Sequence, residues 1–273
     1  MEAREDQAEA DAKDAKEVDD ASHLRPATVY EIVRQEGVGE LKRPLKSLWW
    51  SGVAAGIALS TSLYAQAFLL QRVPDAEWRP LVVALGYPIG FLIVIFGRLQ
   101  LFTENTITVI LPLLAERTWG NLRCVARLWG VVFAANLAGT FVSAALVIYF
   151  DLMGPGQREA ALELSRHFAE KQALEILLLG ILAGFFVAAL VWTLPDAKGS
   201  EFWLIFSMTY VIAIGDFAHV IVGSTEIFLL MFKGELTVLQ AAGAYMLPAF
   251  VGNVLGGTGL FAMLAYAQVS EEL

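Results

Sequence analysis

The feature that most narrows the fold of this chain is a pair of apolar stretches, each too long for one straight membrane crossing and each interrupted by polar residues. A helix rises about 1.5 Å per residue, so about 20 residues cross the roughly 30 Å of hydrocarbon in a bilayer. Six stretches are long enough, at about 47–70, 81–114, 124–150, 172–194, 202–232 and 239–268. The second contains Gly97-Arg98-Leu99-Gln100 and Thr103-Glu104-Asn105-Thr106, and the fifth contains Gly215-Asp216 and Gly223-Ser224-Thr225-Glu226. Non-helical backbone at membrane depth leaves N–H and C=O groups that lipid cannot satisfy, so such breaks persist only when buried in protein or facing a watery cavity. Two of them imply a single central pathway through an all-α membrane protein of six transmembrane helices, with the second and fifth broken.

The interrupted stretches are second in each set of three, which predicts an internal duplication. Gly52-Val53-Ala54-Ala55-Gly56 corresponds to Gly180-Ile181-Leu182-Ala183-Gly184, both small-residue faces on which helices approach closely. Ala135-Asn136-Leu137-Ala138-Gly139-Thr140 corresponds to Gly252-Asn253-Val254-Leu255-Gly256-Gly257-Thr258, and Phe102-Thr103-Glu104 aligns with Ser224-Thr225-Glu226. With an odd number of spans in each half, the halves enter from opposite sides. The expectation is an inverted 3+3 repeat within a pore domain at 47–268, with repeat one at 47–150, repeat two at 172–268 and the polar stretch 151–171 joining them.

Composition enters where other classes must be excluded. At 57% hydrophobic and 17% charged residues, a chain of this length is too apolar for a soluble globule. The net charge of −9 comes mainly from acids crowded into residues 1–20, so 1–27 reads as a solvated, disordered acidic tail without the apolar core of a signal peptide. Residues 28–46 read as an amphipathic helix on the cytoplasmic membrane face, and 269–273 as a short tail. The single cysteine, Cys124, excludes an internal disulfide and offers no metal cluster. One histidine and scattered acids in the spans make no catalytic set, so neither enzymatic activity nor a cofactor is expected. No nucleic-acid partner is expected either.

His219 is the one histidine inside a span, close to a break. A titratable group in the membrane is costly and normally faces a pathway or a partner. Its unperturbed pKa near 6.5 suits it to donate a hydrogen bond or carry a proton. The hydroxyls of Thr103 and Thr225 are expected to cap the broken ends, to line the pathway, or both. Half-helix N-termini at the midplane favour an anion, whereas Glu104, Asp216 and Glu226 oppose one if they face the pore ionised. A channel for a small neutral solute or a cation, and a non-transporting membrane scaffold, are the alternative readings.

Leu101-Phe102-Thr103, Gly180-Ile181-Leu182-Ala183, Phe217-Ala218-His219 and Gly252-Asn253-Val254-Leu255-Gly256-Gly257, in this order over about 42–268, resemble the formate/nitrite transporter family. The resemblance implies an aquaporin-like protomer in a homopentamer of the bacterial inner membrane. Each protomer has its own pore, membrane lipid around it, and both termini in the cytoplasm. It implies passive passage of small monovalent weak-acid anions such as formate, nitrite, acetate, lactate or hydrosulfide. Matched by position, His219 is the central pore histidine, and Thr103 and Asn253 accompany it. Phe102, Phe91, Tyr87 and Ile212 form apolar constrictions on either side. Hydrophobic rings exclude hydrated ions, which implies proton linkage: a basic vestibule draws the anion in, the acid forms near His219, and the neutral species crosses. The sequence departs from the family pattern at Ala218, where an acid often stands, at Gly184 in place of asparagine, and at Phe168, near which a lysine is expected.

Overall fold

The computed structural model describes residues 23–272. The acidic tail expected at 1–27 therefore falls almost wholly outside the described residues. Ten helices follow: α1 (Pro26–Leu41), α2 (Leu45–Arg72), α3 (Arg79–Phe96), α4 (Asn105–Ala115), α5 (Trp119–Tyr149), α6 (Pro155–Ala169), α7 (Ala173–Thr193), α8 (Glu201–Ile214), α9 (Val220–Phe232) and α10 (Val238–Val269). There is no strand among the described residues. Five helices, α2, α3, α5, α7 and α10, are long and apolar enough to cross a membrane, while α4, α8 and α9 are shorter apolar helices.

Local sequence explains where these elements start. Pro26 and Pro155 occupy the first turns of α1 and α6, where a missing N–H costs nothing. Thr118 caps α5, its Oγ1 accepting from Asn121 N at 3.1 Å. Within α3 the chain kinks at 85–87, ahead of Pro88. The Ser62 hydroxyl of α2 donates to Tyr87 O at 2.6 Å and accepts from Gly90 N at 3.2 Å, so the groups loosened by the proline find partners.

Small residues set the closest helix packing. A Cβ on Gly56 of α2 would lie 2.2 Å from Asn136 O of α5, and a Cβ on Gly184 of α7 would lie 2.2 Å from Asn253 O of α10. Any side chain at either position forces two backbones apart. The last helix is less regular than its sequence suggests: Ala241–Met246 and Leu255–Ala262 are π-helical, and the second stretch begins shortly after Asn253.

The polar connector 151–171 is largely helical. On α6 the faces of Ala160, Ala161, Leu162, Ser165 and Phe168 are buried, leaving the charges outside. Arg166 grips Glu235 at the far end of α9 with two hydrogen bonds, 2.9 Å from Nε and 2.8 Å from a terminal nitrogen. Those bonds hold the Glu235 carboxyl below the usual carboxylate range, against a smaller upward effect of burial. A depressed carboxylate stabilises above its unfolded pKa, and the contribution is lost as pH falls through the folded value. Both groups are substantially exposed, so Glu235→Gln is expected to cost below about 1 kcal/mol. Thermal melts at neutral pH should show that small loss, vanishing near pH 3 or in high salt.

Candidate functional site: two helix breaks meeting at His219

Both interruptions have one geometry. After α3, Gly97 N donates to Ile93 O at 2.9 Å, Arg98 N to Ile95 O at 3.1 Å and Leu99 N to Val94 O at 3.0 Å. After α8, Gly215 N donates to Val211 O at 2.9 Å, Asp216 N to Ala213 O at 3.1 Å and Phe217 N to Ile212 O at 3.0 Å. Arg98 (φ 48°) and Asp216 (φ 54°) occupy the same left-handed corner, a conformation that costs a non-glycine residue about 1 kcal/mol or more.

An asparagine from a neighbouring helix closes each break. Asn136 Oδ1 accepts from Phe102 N at 2.9 Å, while its Nδ2 donates to Gly52 O and Gln100 O, both at 2.8 Å. Asn253 Oδ1 accepts from Val220 N at 2.9 Å, and its Nδ2 donates to Gly180 O at 2.9 Å and Ala218 O at 2.8 Å. Phe102 N and Gln100 O at one break, and Val220 N and Ala218 O at the other, are the loose backbone groups that lipid could not satisfy; Gly52 O and Gly180 O tie each asparagine to a continuous helix, α2 or α7.

The bonding sets the register between the halves. Phe102 stands opposite Val220, and Leu101 opposite His219. Thr106 pairs with Ser224, whose hydroxyls donate to Thr103 O and Ile221 O, each at 2.7 Å. The sequence alignment of Phe102-Thr103-Glu104 with Ser224-Thr225-Glu226 is therefore off by about one helical turn. The second break is at 215–219, and Gly223-Ser224-Thr225-Glu226 lies inside α9.

His219 is 2% exposed and caps α9, its Nδ1 accepting from Val222 N at 3.3 Å. With Nδ1 occupied as an acceptor, the network assigns the proton of the neutral ring to Nε2, which donates to Thr103 Oγ1 at 2.8 Å. Thr103 sits in the loop ahead of α4, so this one bond joins the two breaks. The Phe91 ring stands edge-on to the imidazole at 5.1 Å, and Tyr87 packs on Phe91 at 5.4 Å.

A cavity of about 70 Å³ opens beside the histidine, with Tyr87, Ile212, His219, Asp216, Glu226 and His167 among its walls. It is not the basic vestibule expected from the resemblance. Lys171 Nζ lies 2.7 Å from Asp216 Oδ2, so this carboxylate balances the lysine, and His167 Nε2 lies 3.2 Å from the same oxygen.

Other expected site residues stand elsewhere. Thr225 caps nothing; it lies within α9, fully buried, its hydroxyl 3.0 Å from Ser60 Oγ of α2. Asn253 is also fully buried, and its amide makes the three bonds described, so it stitches backbone instead of presenting a group to a solute. The Phe102 ring stacks on Phe250 at 5.0 Å and meets Phe133 and Trp129 edge-on, in a cluster apart from the cavity. Glu104 directly precedes α4, half-buried, with Glu36 and Glu40 of α1 acting on it. Sequence reasoning did not name His167 as a wall group, or Lys171 as the partner of Asp216, because both lie in the polar connector rather than in a span.

Comparison with known proteins places this geometry in a class. The formate/nitrite transporter description matches residues 27–267, and the chain belongs to that family of membrane transporters, which are not enzymes. It is 35% identical to the inner membrane protein YfdC of Escherichia coli (strain K12), over 91% of this chain and 80% of that protein. It is 26% identical to the formate channel FocA of the same strain, over 89% of this chain and 93% of that one. Among solved structures it resembles a pentameric formate channel with formate bound, with a TM-score of 0.69, 17% identity and coverage of 83% of this chain and 98% of that one. A second likeness is to a structure described as an FNT family ion channel, with a TM-score of 0.71, 20% identity and coverage of 89% and 96%.

Proposed function

We propose that the chain is a passive conduit for small monovalent weak-acid anions of the formate, nitrite, acetate or hydrosulfide class, with proton linkage through His219. In this reading six spans form an inverted 3+3 repeat with two broken helices, on an aquaporin-like plan. Five copies assemble in the bacterial inner membrane, each with its own pore and with both termini cytoplasmic. The observation that carries the reading is the 2.8 Å contact between His219 Nε2 and Thr103 Oγ1, which puts a titratable donor where the two breaks meet. No acceptor for the Thr103 hydroxyl hydrogen occurs among the described hydrogen bonds, which leaves that hydrogen for the oxygen of a passing acid. The apolar neighbours Phe91, Tyr87 and Ile212 favour a dehydrated, neutral permeant over a hydrated ion. The pentameric formate channel and the formate channel FocA support the oligomer and the solute class.

Uptake into proteoliposomes across a pH gradient, comparing formate, nitrite, acetate, hydrosulfide and glycerol, tests the reading. Weak-acid flux driven by the gradient is the expected result. Glycerol uptake with no acid flux would overturn it in favour of a neutral-solute channel, which the acidic cavity wall also suits.

A further inference from the structure

The cavity beside His219 contains an ionisable group that has no partner among the described residues. Asp216 is held by Lys171 and His167. Glu226, on the cavity wall and half-buried in α9, takes part in no hydrogen bond or ion pair among the described residues. The groups that face the cavity with it are Asp216 from the link between α8 and α9, His167 from α6, Tyr87 from α3 and His219 at the start of α9, while Gln66 of α2 is neutral. Lys171, between α6 and α7, also acts on it, but its charge is compensated by Asp216. The Phe168 ring, 5.3 Å from Lys171 Nζ, forms part of the same wall.

With Glu226 ionised and His167 neutral, this mouth is therefore net negative, and a bare anion entering it meets an uncompensated carboxylate. At roughly 5 Å and an effective dielectric of about 20, that repulsion lowers occupancy by about a hundredfold or more. With Glu226 protonated, the same group offers an O–H to an oxygen of the permeant. We propose that Glu226 is the specificity-determining residue of this mouth, turning away bare anions and admitting small monobasic acids together with a proton. The assignment rests on the weak-acid reading above and names the form in which the solute enters.

The test uses the full chain in proteoliposomes, as wild type, Glu226→Gln and Glu226→Asp, with assembly of each checked by size-exclusion chromatography. The probes are formate, which protonates readily, and nitrate, which does not. Wild type and Glu226→Asp are expected to exclude nitrate. In both, formate uptake should fall more steeply with rising pH than the concentration of undissociated acid does. Glu226→Gln is expected to pass nitrate about tenfold or more faster than wild type and to lose the excess steepness. Glu226→Ser, also uncharged, serves the same comparison if the glutamine variant does not assemble. An assembled uncharged variant that excludes nitrate as wild type does overturns the assignment. Wild-type liposomes that carry no formate overturn the weak-acid reading itself, and this assignment with it.

Discussion

His219→Ala is expected to lower weak-acid flux by roughly ten- to a hundredfold and flatten its pH profile, while the oligomer still forms. The magnitude follows from removing the buried donor that orients the Thr103 hydroxyl towards a permeant, and hydrogen bonds of this kind are worth about 1.5–3 kcal/mol when charge is involved. The structural cost is smaller. The ring's Nδ1 caps α9 through Val222 N, and losing a cap costs about 1 kcal/mol. His219→Asn separates the two roles, because an amide oxygen can restore the cap without restoring titration. It should match the alanine variant in flux and exceed it in thermal stability. An alanine variant with a wild-type flux profile would reduce His219 to a helix cap.

The second large effect is on folding. Asn136→Ala and Asn253→Ala each remove three hydrogen bonds, two of them to loose backbone groups at a break, one N–H and one carbonyl, and the third to a carbonyl inside a neighbouring helix. Each of the two orphaned groups costs about 1–3 kcal/mol, so either substitution is expected to lose roughly 2–6 kcal/mol, a large share of a typical folding stability. Little monodisperse protein should survive purification, and melting temperatures in detergent should drop alike for both because the two residues do the same job. A melt of Asn253→Ala that coincides with wild type would show that water or local repacking satisfies the break.

Much of this fold is legible in letters because hydrocarbon is an unforgiving solvent. Apolar runs of the right length, prolines at helix starts and small-residue faces such as Gly52-Val53-Ala54-Ala55-Gly56 each report a physical necessity. The limits of the second break were not legible. Gly223-Ser224-Thr225-Glu226 looks like an interruption, yet the Ser224 hydroxyl bonds back to Ile221 O and the Thr225 hydroxyl reaches Ser60. A hydroxyl satisfied within or between helices is written the same way as one at a break. The resemblance places Asn253 beside the central histidine, but its bonding was not legible: an amide inside a membrane has a hydrogen-bonding need, and here backbone meets it. Helix α6 was hidden because its buried face is narrow, with Leu162 and Phe168 as its only large apolar residues.

Arg98 and Asp216 sit at the equivalent corner of the two breaks and carry opposite charge. In the proposed conduit an ionic solute therefore sees a different electrostatic profile from each end, however alike the backbones are. Detailed balance forbids any preference at equilibrium, but half-saturation concentrations for entry and exit need not agree, and a current carried by ions should rectify. In that proposal, a duplication that makes the passage symmetric in shape leaves it polarised in kinetics.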